Sequence, residues 1–259
     1  KGIKMIDFKM TDLSGRWRHI TIPVERFDDG IFTQGIGFDG SNYGYAPVEK
    51  SDMVFIPNPE TAVVDPFTEI PTLTMCGDVC VIGKENRPFD QYPRNVSLRA
   101  IEYMKEQGIA DQMLIGPEFE FHLFDNVSFM VEPQRMAFTV DTRQAAWNSG
   151  RESADNKGFQ VPGGGGYHSG GYHIAAPQDV AYNLRSRMCM MLQDWGVDVK
   201  YHHHEVGGSG QMEIEVELGD MVDMADKTMI IKYVIHNAAI QDGRAATFMP
   251  KPIYKEAGN

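Results

Sequence analysis

The sequence predicts an α+β fold: a small β-rich domain over residues 1–88, then the beginning of a larger α+β domain over residues 89–259 whose strands carry acids. Three observations predict it. Short β-branched and aromatic runs, broken by turn residues and prolines, fill the first third. Helix signals begin only after the segment Glu85 to Asn95. Beyond them, glutamates alternate with apolar residues around Glu118 and Glu120, and again from Glu213 to Leu218.

The elements follow in order. IKMIDFKMTDLSGRWRHITIPV holds two β-rich runs around the turn cluster Asp12-Leu13-Ser14-Gly15, which predicts a hairpin. The Gly-rich loop GIGFDGSNYGY comes next. Pro57, Pro59, Pro66 and Pro71 then punctuate strand-like segments such as TAVVDPF and TLTMCGDVCVI, as prolines do at edges and turns. ENRPFDQYPRN reads as a linker. Asn95 or Ser97 caps a helix containing Leu98, Ile101, Tyr103 and Met104, ended by Gly108. MLIGPEFEFHLFD reads as a strand, and GGGGYHSGGY as an irregular loop, because that much glycine is costly in any regular element. Val180, Leu184, Met188 and Met191-Leu192 give a helical period between Pro177 and Trp195. VDVKYHHHEV and QMEIEVEL are strand-like, with VGGSGQ as the turn between them. Asp223 to Asp242 reads as a second helix, ended by Gly243.

Composition narrows the function. With 42% hydrophobic and 23% charged residues the chain is globular, and its net charge of −12 argues against nucleic acid, whose phosphates would find nothing to neutralise them. No apolar run approaches the roughly 18 residues a membrane span needs, and no leader pattern stands at the start, so the expectation is a cytoplasmic protein. Cys76, Cys80 and Cys189 are too few and too irregular for a disulfide framework and read as reduced thiols.

The carboxylates carry the chemistry. Glu118 and Glu120, two apart on a strand, project from one face of an otherwise apolar segment. Two like charges on a half-buried strand call for compensation, which Mg²⁺ or Mn²⁺ supplies directly; a solvated edge strand is the plainer alternative. Glu205 follows His202, His203 and His204, and the glycine-rich turn suits a hairpin returning Glu213 beside it. Glu213, Glu215 and Glu217 share one face, and for the last two a polar sheet face is the simpler reading. The neighbouring acids and the lack of nearby cysteine favour a hard-metal cavity over a zinc site.

Taken together, five segments resemble glutamine synthetase of the bacterial type I class, in that family's order: GFDGSNYG with VEKSDM and TAVVDPF, GPEFEFHLFD, HHHEVGGSGQMEI, ADKTMIIKYVIHNAA, and GRAATFMPKPIY. The resemblance implies a β-grasp-like N-terminal domain followed by the first part of a catalytic domain, an antiparallel sheet or partial barrel with helices, in a chain truncated at both ends. It implies ligation of ammonia to L-glutamate with ATP, through a γ-glutamyl phosphate, in a cytoplasmic homo-oligomeric ring (a dodecamer) whose neighbours share active sites. Two or more Mg²⁺ or Mn²⁺ ions per site are implied. Glu120, Glu205 and Glu213 match ligands of the first metal and Glu118 a ligand of the second. Asp39 matches the residue that binds ammonium and removes its proton in a neighbouring subunit. His203 or His204, with His203 preferred, matches a histidine near the ATP phosphates, and Asn259 matches the first residue of the loop that grips glutamate. Without the resemblance, Asp39 reads as an Asx-turn residue.

Departures from the family pattern stand at His168, where a lysine is common, at Lys200, where an acid is common, and at Leu218, where an aromatic is common. Two other readings share these residues: a ligase joining a different amine to glutamate, and a catalytically silent structural relative.

Overall fold

A computed structural model describes residues 2–150, 161 and 170–258. In chain order the elements are β1 (Met5–Thr11), β2 (Trp17–Pro23), α1 (Ile31–Gln34), β3 (Ile36–Asp39), β4 (Asp52–Pro57), β5 (Val63–Val64), β6 (Thr72–Val81), β7 (Arg87–Pro88), α2 (Pro93–Glu106), β8 (Leu114–Ile115), β9 (Glu118–Phe124), β10 (Asn126–Glu132), β11 (Arg135–Asp141), α3 (Tyr182–Asp194), β12 (Val199–His204), β13 (Gln211–Val216), β14 (Gly219–Asp220), α4 (Met221–Gln241) and β15 (Ala245–Thr247). They form two compact units. The first runs to Ile115 and includes Gly219–Met229; the second is Gly116–Leu218 with the residues from Ile230 on. No described helix is long and apolar enough to cross a membrane.

The first unit is β-grasp-like. The expected hairpin is β1–β2, closed by Asp12, whose carboxylate accepts from the backbone N–H groups of Ser14 and Arg16. The sheet runs β2-β1-β6-β4-β3, with β1 and β6 parallel and its other pairs antiparallel. Alternation along β1 sends Ile6, Phe8 and Met10 into a core with Met53, Phe55, Met75 and Val79. Asp7 and Lys9, on the opposite face, are buried as well. Lys9 meets Asp7 at 2.5 Å and Asp65 at 3.5 Å, so neither sign is left without its opposite.

Helix α2 begins two residues before the earlier of the two expected caps, because Pro93 takes the first turn, where its missing N–H costs nothing. Asn95 instead lies inside the helix and donates to the carbonyls of Val79 and Phe89. Part of the expected linker is therefore structured, as β7 and the start of α2.

The second unit is built on an antiparallel sheet ordered β12-β13-β9-β15. Helix α3 packs on β12. It starts at Tyr182, later than the periodicity suggested, because Asp179 accepts the Ala181 N–H and commits its carboxylate to Arg185. The β10–β11 hairpin, with Phe129, Met136 and Phe138 exposed, has no counterpart among the sequence expectations. Most of the glycine-rich stretch before Gly170 lies outside the described residues, as do His168 and Asn259.

Candidate metal centre

Three strands and one turn assemble the acids. β13 lies between β9 and β12, with Glu213 opposite both Glu120 and His203, and Glu215 opposite both Glu118 and Tyr201. Because the side-chain period is two, Glu118, Glu120, Gln211, Glu213, Glu215, Tyr201 and His203 share one face. The other face carries Phe119, Phe121, Leu123, Met212, Ile214 and Val216, all buried. Burial of that apolar face fixes the register, and the register brings the acids together.

Glu205 enters from the end of β12. Its backbone N–H donates to the Gln211 carbonyl at 2.9 Å, and its carboxylate accepts the Val206 N–H. Residues 207–210 form a buried turn, which needs internal partners for its polar backbone. Gly210 sits at φ +91°, where an added Cβ would lie 2.5 Å from the Leu123 carbonyl oxygen, so glycine is required there. Its N–H donates to Gln144 Oε1 at 3.0 Å, and the same oxygen lies 3.0 Å from His204 Nε2.

The resulting cluster is short of positive charge. His203 Nε2 lies 3.4 Å from Glu213 and its Nδ1 3.7 Å from Glu205, while Glu205 and Glu213 are only 5% and 6% exposed. Burial, with the charges of Glu205 and Glu118 added, pushes the Glu120 carboxyl up to about 7. Burial, a hydrogen bond with Glu205 and the charges of Glu205, Glu120 and Glu118 push Glu213 up to about 8. Glu215 goes the other way: Lys200 bonds it at 2.6 Å and, with Tyr201, lowers its pKa. Lys200, a departure from the family pattern, thus neutralises Glu215 at the edge of the cluster. Leu218, another departure, is exposed.

Donor chemistry suits a hard divalent cation. Oxygens dominate, and among the described residues the groups close enough to share an ion are His203, Glu205 and Glu213, and Glu118, Glu213 and Glu215. Two carboxyls pushed up to about 7 and about 8 by burial, with the charges of neighbouring acids added, are what a cation would relieve. The buried imidazoles of His122, His202 and His204 are poor substitutes for that cation. Burial holds His122 down to about 4, with its Nε2 buried and unpartnered, and burial lowers His202 and His204 as well.

Behind the sheet, Arg185 is 1% exposed and grips Asp179 with two bonds of 2.9 and 2.6 Å; its Nε reaches His202 Nδ1 at 3.2 Å. That bond makes His202 Nδ1 an acceptor, so its Nε2 carries the hydrogen that faces Ser186 Oγ at 3.2 Å. The Ser186–His202 pair is therefore structural, because the imidazole has no lone pair to offer the hydroxyl. Neither Arg185 nor Gln211 stood out in the sequence; Gln211 shares the face of Glu213 two residues away, which was the available signal.

Asp39 belongs to the first unit, at the end of β3. It is exposed and accepts from Ser41 N, Ser41 Oγ and Asn42 Nδ2 at 2.9, 2.7 and 3.0 Å. The Ser41 hydroxyl and N–H hold its carboxyl below the usual range. An Asx turn and an exposed, ionised acid are thus the same geometry.

Comparison with known proteins places these segments. Residues 2–82 match the family described as glutamine synthetase, beta-Grasp domain, and residues 90–259 match glutamine synthetase, catalytic domain. A glutamine synthetase of Pasteurella multocida is 41% identical over 260 residues, covering 99% of this chain and 54% of the relative. A 3-hydroxylaminophenol mutase of Cupriavidus pinatubonensis is 41% identical over 258 residues, with the same two shares. The cryo-EM structure of Plasmodium falciparum glutamine synthetase superposes with a TM-score of 0.86 at 26% identity, covering 100% of this chain and 49% of that one. The chain spans about half the length of the curated relatives it matches.

Proposed function

The chain belongs to the glutamine synthetase family, and we propose that it carries part of the machinery that joins ammonia to the side-chain carboxylate of L-glutamate with ATP, through γ-glutamyl phosphate. One observation carries this reading: Glu120 stands opposite Glu213 in the sheet, Glu205 and Glu213 lie close enough to share an ion, and the carboxyls of Glu120 and Glu213 are pushed to about 7 and about 8. An inert relative gains nothing from buried, repelling acids. The 41% identity to a mutase means that overall similarity does not select the reaction, so the site has to.

Glutamate's carboxylate is a poor acylating agent because oxide is a poor leaving group, and phosphorylation supplies a better one. A bound Mg²⁺ or Mn²⁺ would offset the negative charge that phosphoryl transfer gathers; Glu120, Glu205 and Glu213 would hold one such ion and Glu118 part of a second. His203, between Glu205 and Glu213, is assigned to the ATP phosphates. Asp39 is an ionised, exposed acid suited to hold ammonium and accept its proton, so that ammonia attacks the acyl phosphate. Asn259 is assigned to glutamate. The further proposals are a cytoplasmic ring of identical subunits, with Asp39 serving a neighbour's site.

In the assembled full-length protein, Glu120→Gln or Glu205→Gln is expected to abolish Mg²⁺- or Mn²⁺-dependent glutamine formation while leaving assembly intact. Wild-type turnover in either variant overturns the ligand assignment. Mixed rings of Asp39→Ala and Glu205→Gln subunits are expected to regain activity, and no regain contradicts shared sites. Faster turnover with ethylamine or a polyamine than with ammonium favours the alternative ligase.

A further inference from the structure

Gln211 is 1% exposed, and both ends of its amide are committed. Its Oε1 accepts the Gly207 N–H. Since a backbone N–H can only donate, that contact fixes the amide orientation and turns the NH₂ group toward Glu120, whose Oε2 it meets at 2.5 Å. A Cβ on Gly207 would collide with the Gln211 amide, so the approach requires glycine. The Gln211 carbonyl in turn accepts the Glu205 N–H at 2.9 Å, and Glu213 follows two residues later on the same face. Gln211 thus bonds two of the three acids, Glu120 through its side chain and Glu205 through its backbone carbonyl, and stands two residues from Glu213 on the same face.

We propose that Gln211 is a positioning residue of the metal centre, its amide holding the Glu120 carboxylate in place against the turn that sets Glu205. The proposal rests on the metal-binding reading above and adds a residue to it. A donor on one oxygen of Glu120 fixes the plane of the carboxylate and leaves the other oxygen for a cation; without it the carboxylate, repelled by Glu205 and Glu118, is free to turn away. The Glu120 carboxylate is thus the route by which the amide reaches the ion.

The test measures Mn²⁺ binding to the assembled full-length protein by electron paramagnetic resonance, for wild type, Gln211→Met, Gln211→Asn and Glu120→Ala, and for each Gln211 change combined with Glu120→Ala. Gln211→Met removes both bonds. Gln211→Asn keeps an amide one methylene too short to span Gly207 and Glu120, and serves if the methionine variant fails to assemble. Each is expected to weaken Mn²⁺ binding by roughly 10- to 100-fold. In the Glu120→Ala background the same changes are expected to add less than about threefold, because the acceptor of the Gln211 amide is already gone. The Mn²⁺ concentration for half-activation should rise by the same factor, with kcat at saturating Mn²⁺ within about twofold of wild type. A loss of equal size in both backgrounds assigns Gln211 to the turn alone and overturns the proposal. Wild-type Mn²⁺ affinity in both Gln211 variants also overturns it and leaves the metal reading standing. A wild-type protein that binds no Mn²⁺ overturns both.

Discussion

Raising the pH from 6 to 8 is expected to tighten Mn²⁺ binding by at least about tenfold, because a cation must displace protons from carboxyls whose pKa values are raised. Glu120 is held at about 7 and Glu213 at about 8. The two interact and titrate as a pair, so both are ionised together in a small minority of molecules at pH 6 and in a much larger fraction at pH 8. Apparent affinity follows that fraction, and binding at pH 7 releases roughly one proton or more per ion. Titration calorimetry in buffers of different ionisation enthalpy measures both quantities. Metal-free stability runs the opposite way. A carboxyl whose pKa is raised by folding contributes stability that is fully present below its unfolded value near 4.5. That contribution is lost as pH rises through about 7 and about 8, so the melting temperature with chelator should fall across this window and recover with Mn²⁺. An affinity that is flat or declining from pH 6 to 8, with no buffer-dependent heat, refutes the claim that the cluster is held together by protons when metal is absent.

Two further predictions concern the scaffold. Arg185→Leu strands Asp179, 7% exposed, as an uncompensated buried charge and is expected to cost roughly 3–5 kcal/mol; chemical unfolding of Arg185→Leu and of Arg185→Leu/Asp179→Asn should show recovery in the double variant, and an unchanged single variant contradicts the structure. Gly210→Ala forces a side chain into φ +91° against the Leu123 carbonyl and is expected to cost at least about 1–3 kcal/mol and to weaken Mn²⁺ binding; a melting temperature equal to wild type counts against the buried turn.

Local pattern was legible, and partner choice was not. Alternation announced β9 and β13 and the face on which their acids lie, and turn chemistry announced the β1–β2 hairpin. Strand period names a face but not a neighbour, so the pairing of Glu213 with Glu120 on one side and His203 on the other came only from the fold. Arg185 sits among the apolar positions Leu184 and Met188 of α3 and reads as a helix surface residue; its burial follows from Asp179, six residues earlier and outside the helix. The β10–β11 hairpin lacked the usual contrast, since its apolar residues are largely exposed. The start of α2 was misplaced because Asn95 resembles a cap, whereas its amide is spent on carbonyls of the first unit's sheet and connection.

Everything chemical here depends on a cation lying among Glu120, Glu205 and Glu213. Anomalous diffraction from crystals of the full-length protein grown with Mn²⁺ tests that directly. The expected result is a manganese peak within coordination distance of all three carboxylates, lost in Glu205→Gln. A wild-type map with no manganese among those side chains, or with the ion bound elsewhere, contradicts the account.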